Sequence, residues 1–472
     1  MINLDEIRSV AARVALANTV VEKDYALGWL LWGIHQHPET NEDWIFKGGT
    51  CLKKCYFETY RFSEDLDFTY RGKVQPSVES LTKIFAEISN LIADAAGLEF
   101  PKASIQFEIF KNPRDSLSIQ GGVKYRGPVR PQVGLAHMQR IKIDLTLDEP
   151  LVLAPVTKQV DHPYSDLPDG GINILSYDYE EVFSEKVRAL AQRLRPRDLY
   201  DVIHLHRRLD LNPNRERIVS TLKRKCSLRG IAVPTMDDIE THQNLGFLQS
   251  EWENQLKHQI LVLPDFNSFL FELPQFFAWL EGKKTEFLEQ VPSSEFQQHD
   301  LIRRESIGSL VPAGPATSYM DKIRFAAANR LILSLGYGGG MRDIEPYALA
   351  RSSDGNLLLR ALRHDSGEWR SYSFDLMQNV QVTDKTFVPK YAIEISSAGY
   401  LPVRQLTKNS AITGKERQRM SRSSGPIHIY RCGICGKEFK RKTQDSSLNP
   451  HKNKSSSNCS GRHGAYVRTV LE

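Results

Sequence analysis

Residues 44–70 read WIFKGGTCLKKCYFETYRFSEDLDFTY, and this stretch decides the fold prediction. Its first residues, Trp44 to Phe46, have the character of a short strand. The turn Gly48-Gly49-Thr50 follows, and residues 51 to about 60 are predicted to form a helix. A glycine turn that opens a helix exposes backbone N–H groups at the positive end of the helix dipole, which favours phosphate binding. Many turns contain two glycines, so this signal is weak without its neighbours.

The second half of the stretch predicts a strand that carries two carboxylates. Side chains at i and i+2 of a strand point to the same face, so Asp65 and Asp67 project together while Leu66 and Phe68 face the core. Two adjacent carboxylates repel each other, and a divalent cation between them removes that cost. Mg²⁺ binds carboxylate oxygens together with substrate phosphates, as nucleotidyl transfer requires. For an isolated pair of this kind, an exposed acidic turn is the alternative interpretation.

A third strand is predicted from Arg140 to Leu147. Its apolar residues alternate with Lys142, Asp144 and Thr146, which share the other face. Asp144 is therefore a candidate third carboxylate that helps to activate an attacking hydroxyl group. A sheet with one solvated face is the alternative.

A helix is predicted from Glu180 to Arg195, and Lys186 lies within its apolar stripe. A lysine on a buried face needs a partner or a purpose, and a nucleotide phosphate provides both. The alternative is a lysine that reaches solvent or forms a salt bridge with Glu185 or with a neighbouring helix. The next helix starts with Asp198 and Asp201 on one face, where acidic residues also stabilise a helix start.

The bulk composition is that of a soluble globular protein, because 40% of the 472 residues are hydrophobic and 25% are charged. No apolar stretch near the N-terminus reaches the about 20 residues that cross a bilayer, and no secretory signal is visible. We therefore expect a cytoplasmic protein with no membrane partner.

The net charge of +5 is unevenly distributed. Residues 404–472 hold fifteen Lys/Arg and four Asp/Glu, a sum of +11, so the remaining residues sum to −6. Such a basic tail suggests a polyanion partner, most simply nucleic acid, with a solvated basic segment as the alternative.

The last segment predicts a zinc site. Cys432 and Cys435 form a C-x-x-C turn that offers two thiolates, and His451 with Cys459 closes the tetrahedron, with His463 as a spare candidate. A structural Zn²⁺ would let this segment fold although it has few apolar residues. Because all four ligands lie in the basic segment, the module looks like a nucleic-acid-binding zinc ribbon. A purely structural zinc clip is the alternative.

Taken in order, the N-terminal motifs resemble the AbiEii-type nucleotidyltransferase toxins of the polymerase-β-like superfamily. The string runs through GGT (48–50), RFSEDLDF (61–68), KID (142–144), EKVRAL (185–190) and RDLYD (197–201), and VEKDY (21–25) looks like the opening helix of that family. The resemblance implies a toxin of a type IV toxin–antitoxin or abortive-infection phage-defence system. Such a toxin would transfer a nucleotide from an NTP to RNA, in some members transfer RNA, and would have a cognate antitoxin.

The resemblance also implies a role for each motif residue. Asp65 and Asp67 would bind Mg²⁺ or Mn²⁺. Lys186 would bind a phosphate, and Asp198 or Asp201 would complete the site. An acceptor hydroxyl would attack the α-phosphate in line and release pyrophosphate, a reaction in which positioning and charge neutralisation supply most of the catalysis. The residues assigned to the nucleotide and its orientation are Gly48, Gly49, Thr50, Arg61, Ser63 and Arg197.

Residues 319–390 resemble a WYL domain, a small Sm-like β-barrel that senses ligands such as nucleic acid or nucleotides. The matching segments are residues 344–347, 357–363 and 368–375, whereas the namesake Trp-Tyr-Leu is absent. A structural barrel that mediates contacts between domains is the alternative. Three arginines of this segment are candidates for binding a phosphate, namely Arg342, Arg363 and Arg370.

The predicted fold class is α+β, with a mixed sheet and helices, a helical region, a small β-barrel and a zinc ribbon. The predicted segments are a nucleotidyltransferase domain (1–285), a linker (286–318), the WYL-like domain (319–390), a flexible basic linker (391–426) and the zinc-binding module (427–472). An alternative function is a nucleic-acid-binding regulator with a degenerate transferase core, and a third is an enzyme that modifies a protein or a small molecule. The retained acidic and basic motif residues favour the transferase.

Overall fold

The computed structural model describes most of the chain, in segments separated by gaps. The described residues are 1–14, 16–57, 61–111, 117–208, 213–283, 288, 291, 300–302, 315–352, 355–395, 426–441, 446–453 and 457–471. Most of the two predicted linkers, 286–318 and 391–426, lies outside them. The chain divides into two compact units, residues 1–404 and residues 405–472.

A seven-stranded mixed sheet organises the first half of the larger unit. Its strands lie in the order β3-β4-β5-β2-β1-β7-β6, with β2 parallel to β5 and β1 parallel to β7. The prediction of an α+β core with a mixed sheet is thereby confirmed. The strands are β1 (Trp44–Lys47), β2 (Asp65–Tyr70), β3 (Gln106–Lys111), β4 (Leu117–Tyr125), β5 (Gln139–Thr146), β6 (Val156–Gln159) and β7 (Asn173–Ser176).

Four helices accompany this sheet in the chain. They are α1 (Leu4–Val14), α2 (Asn18–Gln36), α3 (Gly48–Cys51) and α4 (Val78–Ala96). Helix α3 is a single turn that continues as a π-helical turn over Leu52–Tyr56, where the sequence predicted a regular helix to residue 60; residues 58–60 lie outside the described residues. Helix α4 packs on the sheet through Phe85, whose ring lies 5.7 Å from that of Trp44. Because side chains alternate along a strand, the carboxylates of β2 point to the opposite face.

A helical region follows the sheet. Its helices are α5 (Tyr179–Arg193), α6 (Pro196–Arg207), α7 (Arg215–Leu228), α8 (Met236–Glu240), α9 (Leu245–Ser250), α10 (Trp252–Leu256), α11 (Phe266–Leu270) and α12 (Leu273–Leu280). Helix α5 ends at Arg193, and the residue that caps it, Leu194, adopts a left-handed φ of 42°, so the turn into α6 precedes the predicted break at Pro196. The apolar stripe predicted for α5 is buried, and its Phe183 ring stacks 5.9 Å from the ring of Trp279.

A second, antiparallel sheet completes the larger unit. Its strands are β8 (Asp300–Ile302), β9 (Leu331–Tyr337), β10 (Gly340–Arg351), β11 (Leu357–Arg363), β12 (Trp369–Ser373) and β13 (Met377–Thr386). Helix α13 (Pro315–Asn329) lies between β8 and β9 in the chain. Five strands follow the order β12-β11-β10-β9-β13, and β8 pairs with β10 inside the segment predicted as a linker. The WYL identity of this sheet stays a prediction.

Polar contacts seat this second sheet on the helical region. The side-chain oxygen of Asn329, at the end of α13, lies 3.2 Å from both the Tyr200 hydroxyl and Nε2 of His204, which belong to α6. Glu272 binds both Arg207 of α6 and Arg330, at 2.7 and 2.6 Å. Helix α6 therefore connects the second sheet with the region around Asp198 and Asp201.

The smaller unit contains two small antiparallel sheets. Strands β14 (Pro426–Cys432), β15 (Glu438–Arg441) and β18 (Gly464–Leu471) form one in the order β15-β14-β18, and β16 (His451–Lys452) pairs with β17 (Asn458–Cys459) in the other. Among the helices of the described segments, none is both long enough and apolar enough to span a membrane.

Candidate active site

A row of polar residues crosses four neighbouring strands on the face of the first sheet opposite α4. Gln120 of β4 pairs with Asp144 of β5, Asp144 with Asp67 of β2, and Asp67 with Lys47 of β1. Directly paired residues point to the same face of a sheet. The amide of Gln120 donates a hydrogen bond of 3.2 Å to Asp144, which fixes one end of the row. Asp65 lies on the same face, two residues before Asp67.

The two glycines of the turn are required by close contacts. Gly48 has a left-handed φ of 83°, and a Cβ atom there would lie 2.2 Å from Oδ2 of Asp67. A Cβ atom on Gly49 would lie 2.4 Å from a guanidinium nitrogen of Arg61. The turn therefore brings the backbone against a carboxylate and an arginine that side chains would otherwise push away.

Thr50 and Ser63 take less exposed positions than a direct contact with nucleotide would suggest. The hydroxyl of Thr50 is buried and donates a hydrogen bond of 2.5 Å to the backbone carbonyl of Asp65, so it ties the turn to β2. Ser63 is half-buried in the segment that leads into β2.

The ionised forms of the carboxyl groups in this row are unfavourable, because the groups are buried and close to one another. Burial raises the pKa of Asp67 to about 6; Lys47 and Lys186 oppose the rise, and the neighbouring charges of Asp144 and Asp65 add to it. Burial also raises the pKa of Asp144, against the effects of Lys47 and the Gln120 hydrogen bond. A bound cation would relieve this cost, and a set of carboxylate oxygens suits Mg²⁺ or Mn²⁺. The residues present therefore fit a divalent cation.

Lys186 reaches the same region from helix α5. Its Nζ lies 2.7 Å from Asp201 and 3.8 Å from Asp198, both on α6. From the sequence, the salt-bridge partner of Lys186 was expected to be Glu185 or a residue of a neighbouring helix. In the structure the partners lie on the neighbouring helix. The positive charge of Lys186 acts on Asp67 as well, because it lowers the pKa of that carboxyl group.

Asp198 and Asp201 are almost completely buried and each binds an arginine through two hydrogen bonds. Arg193 binds Asp198 at 2.6 and 2.8 Å, and Arg61 binds Asp201 at 2.7 and 2.8 Å. Although burial alone would raise the pKa of Asp201, Arg61 and Lys186 hold it well below its ordinary value. The structure therefore places both aspartates behind Lys186 and Arg61 as ion-pair partners.

Lys47 and Lys225 were not recognised from the sequence, and Glu185 was considered only as a partner of Lys186. Lys47 stands opposite Asp67, and its Nζ lies 3.7 Å from Glu185, which in turn lies 3.5 Å from Lys225. Burial would raise the pKa of Glu185, but Lys47 and Lys225 lower it. The available signal was a lysine directly before the glycine turn, whose importance depends on the pairing of β1 with β2.

Arg197 is also available at the edge of the site. Its Nε is buried and has no hydrogen-bond partner among the described residues. Burial and Arg61 lower the pKa of Arg197, while the charges of Asp65, Asp201 and Glu64 oppose that shift.

The VEKDY segment (21–25) contacts the segments on either side of these residues. Asp24 of α2 forms a buried ion pair of 2.7 Å with Lys54 in the π-helical turn. Lys23 binds Glu64 at 2.8 Å, immediately before β2. Helix α2 therefore holds both the turn after the glycines and the approach to Asp65.

The smaller unit brings the four predicted metal ligands together. The ligand atoms of Cys432, Cys435, His451 and Cys459 all lie within 4.8 Å of one another. Sγ of Cys432 lies 3.8 Å from Sγ of Cys459, and two sulfurs bound at about 2.3 Å to one tetrahedral zinc are about 3.8 Å apart. Backbone N–H groups of Cys435 and Ile434 lower the pKa of Cys432 to about 6, which favours the thiolate. The group fits Zn²⁺ without His463, which pairs with Ser447 through its backbone.

The three arginines predicted to bind a ligand share one face of the second sheet. Burial raises the pKa of Tyr372, whereas the positive charges of Arg342, Arg363 and Arg370 lower it. The hydroxyl of Tyr372 is buried without a hydrogen-bond partner among the described residues. Arg363 and Arg370 are partly neutralised by Asp365 and Glu368, respectively.

A row of carboxylates on the open face of a mixed sheet, beside a glycine turn and a buried lysine, defines a site of the nucleotidyltransferase class. The model of the family described as "Nucleotidyl transferase AbiEii toxin, Type IV TA system" matches residues 29–281, more than half of the 472-residue chain. The chain therefore belongs to the AbiEii family and is a nucleotidyltransferase toxin of a type IV toxin–antitoxin system.

Among solved structures, the chain is similar to MenT4, a nucleotidyltransferase toxin from Mycobacterium tuberculosis H37Rv. The match has a TM-score of 0.41 and 18% sequence identity, and it covers 60% of this chain and 91% of MenT4. No curated protein matches the chain in sequence.

Proposed function

We propose that this toxin is a Mg²⁺- or Mn²⁺-dependent enzyme that transfers a nucleotide from an NTP to RNA, with transfer RNA as one candidate acceptor. The observation that carries the proposal is the row of Asp144, Asp67 and Lys47 on adjacent strands, next to Asp65 and Lys186. A degenerate core would have no reason to keep buried and half-buried ionisable residues together at one place. The regulator with a degenerate core is therefore the weaker alternative.

Asp65 and Asp67 would hold the divalent cation. When bound, the cation supplies charge neutralisation for these carboxylates and for the nucleotide phosphates. Gly48 and Gly49 would let the backbone approach the phosphates, and Lys186 would bind one of them. Asp201 and Asp198 orient Lys186 as positioning residues, and Arg61 holds Asp201 in place.

The transfer itself needs a group that accepts a proton. The oxygen of the acceptor hydroxyl bonds to the α-phosphorus, the bond from that phosphorus to the bridging oxygen breaks, and pyrophosphate leaves. The hydroxyl proton passes to Asp144, whose raised pKa suits a general base. Arg197 would contact the nucleotide from the start of α6.

The smaller unit would bind structural Zn²⁺ and dock RNA. Its strands carry Arg431, Lys440 and Arg468, which are exposed on one face of the sheet β15-β14-β18. Basic side chains on one face match the phosphates of a nucleic acid.

Label transfer tests the proposal directly. The full chain is incubated with Mg²⁺ or Mn²⁺, each α-labelled NTP in turn and total cellular RNA, beside the Asp65→Asn/Asp67→Asn variant. We expect label on RNA from the wild type and none from the variant. Label on protein or on a small molecule would replace RNA as the acceptor. Absence of any transfer, from a folded chain that binds RNA, would favour the regulator.

A second candidate function, ligand sensing by the second sheet, is favoured by the buried hydroxyl of Tyr372 among three arginines. An anionic ligand such as a nucleotide would pair with that hydroxyl and with Arg342, Arg363 and Arg370. Calorimetry with ATP, GTP and a dinucleotide, using Arg363→Gln against the exposed control Lys385→Gln, tests it. Equal binding by both variants would remove this candidate.

A further inference from the structure

The face that carries the carboxylates continues beyond them along strand β5. Lys142 pairs with Asp65 of the neighbouring parallel strand, and Arg140 lies two residues further from Asp144. Alternate residues of a strand share a face and are about 6.6 Å apart. The side chains of Arg140, Lys142 and Asp144 therefore form a track along one face of β5 that leads to the candidate general base.

Both cations of this track are exposed and unengaged. The side chains of Arg140 and Lys142 form no hydrogen bond or ion pair with the other described residues, although Lys142 has a carboxylate as its direct strand neighbour. By contrast, Lys124, the residue paired with Arg140 on β4, donates its ammonium hydrogens to the carbonyls of Leu135 and Ala136.

A glycine keeps this part of the sheet open. Gly122 of β4 pairs with Lys142 on one side and with Gln106 of the edge strand β3 on the other. A Cβ atom on Gly122 would lie 2.5 Å from Nε of Arg140, so the arginine side chain lies over the bare backbone at this point. A floor without a side chain, bordered by two cations, leaves room for an extended anionic chain.

The side of the site on which these cations lie distinguishes their ligand from the nucleotide triphosphate. Lys47 and Lys186 approach Asp67 from β1 and α5, whereas Arg140 and Lys142 lie on the β5 side of Asp67. In phosphoryl transfer the attacking and leaving oxygens lie roughly in line on opposite sides of the phosphorus. If pyrophosphate leaves toward Lys47 and Lys186, the acceptor arrives over β5.

We propose that Arg140, Lys142 and the open backbone at Gly122 bind the sugar–phosphate backbone of a single-stranded RNA acceptor next to its reacting end. This proposal rests on RNA being the acceptor. It assigns acceptor binding near the reaction to the sheet face itself, in addition to the docking proposed for the smaller unit. Each phosphate contact on a single strand contributes about 0.7 to the slope of log affinity against log salt concentration.

The test compares Arg140→Gln/Lys142→Gln with the control Arg8→Gln/Lys83→Gln in the full chain. The control removes the same charges from exposed positions on α1 and α4, where the side chains are 59% and 79% accessible. The probe is a fluorescein-labelled 12-nucleotide RNA with a 3′-deoxy end, which binds without turnover. Anisotropy at several salt concentrations gives affinity and salt slope, and label transfer gives the KM for NTP.

We expect the test variant to bind the probe about tenfold more weakly, with a salt slope smaller by about 1.4 for two lost contacts. The control stays within twofold of the wild type, and the KM for NTP stays within twofold in both. Unchanged affinity and slope in the test variant would overturn the inference, even if the wild type labels RNA. If the wild type labels no RNA, the proposed acceptor is wrong, and the binding data decide whether this face binds RNA at all.

Discussion

A Cβ atom on Gly48 would lie 2.2 Å from Oδ2 of Asp67, and Gly48 has a φ of 83°. Alanine at this position would meet both a steric clash and an unfavourable backbone conformation. We expect Gly48→Ala to displace Asp67 and to lower kcat at least about 100-fold, since small misplacements of reacting groups cost about that much. Label transfer measures the rate.

Gly134→Ala is the matched control for this substitution, because nothing lies within 4 Å of a Cβ atom there and its φ is not left-handed. It should leave kcat unchanged. Full activity of Gly48→Ala would show that Asp67 need not remain where the turn places it.

Asp67 should destabilise the metal-free protein in exchange for activity. Its pKa is raised from 3.8 to about 6, so the ionised form costs stability; the cost is absent below pH 3.8 and complete above pH 6. We expect Asp67→Asn to raise the free energy of unfolding at pH 7.5 by up to about 3 kcal/mol. The gain should disappear at pH 3.8 and below, and transfer activity should be lost at every pH.

Urea unfolding of the EDTA-treated full chain measures this difference. The unfolding transition of the larger unit is followed at pH 7.5 and at the lowest pH where the chain stays folded. The gain should shrink as the pH falls. Adding Mg²⁺ should stabilise the wild type but not Asp67→Asn. Equal stability of the two proteins at pH 7.5 would mean that burial does not strain this carboxylate.

The central carboxylates could be predicted because strand alternation is a local property. Asp65, Asp67 and Asp144 needed only the pattern of apolar and polar residues in two strands, and the structure places all three on one face. The helical spacing of apolar residues in α5 likewise predicts a buried Lys186, and the structure buries it. The cysteine spacing likewise brought Cys432 and Cys435 into one group of ligands.

Pairing between distant segments of the chain could not be predicted from the sequence. Lys47 matters because β1 pairs with β2 in a register that sets it opposite Asp67. The partners of Asp198 and Asp201 depend on how α6 packs against α5 and the loop at Arg61. The two aspartates, which the sequence places only at the start of a helix, are buried ion-pair partners in the structure. No local pattern encodes such contacts, because they are chosen by tertiary packing.

Lys186 and Asp201 form one ion pair but should respond differently to substitution. Lys186→Met leaves Asp201 bound to Arg61 through two hydrogen bonds, so we expect little loss of stability but a fall in kcat of about 100-fold or more. Asp201→Asn removes the carboxylate that binds Arg61 through two hydrogen bonds and lies 2.7 Å from Lys186, which should cost about 3–5 kcal/mol.

Chemical unfolding and label transfer on the same preparations separate these effects. Lys186→Arg is the conservative control, and it should retain part of the activity if charge rather than shape is required. If Lys186→Met destabilises the protein as much as Asp201→Asn does, Lys186 is mainly a structural counter-ion.

The metal site of the smaller unit should respond to Cys435 but not to His463. Cys435→Ser removes one of four ligands that lie within 4.8 Å of one another, so we expect it to abolish binding of one Zn²⁺ per chain. His463→Ala should retain the metal, because His463 lies outside this group and joins Ser447 through its backbone. Elemental analysis of the purified full chains measures the stoichiometry. The larger unit has its own core, so its unfolding transition should be the same in both variants. Zinc retained by Cys435→Ser and lost by His463→Ala would show that His463, and not Cys435, is the fourth ligand. Metal binding and folding of so small a unit are coupled.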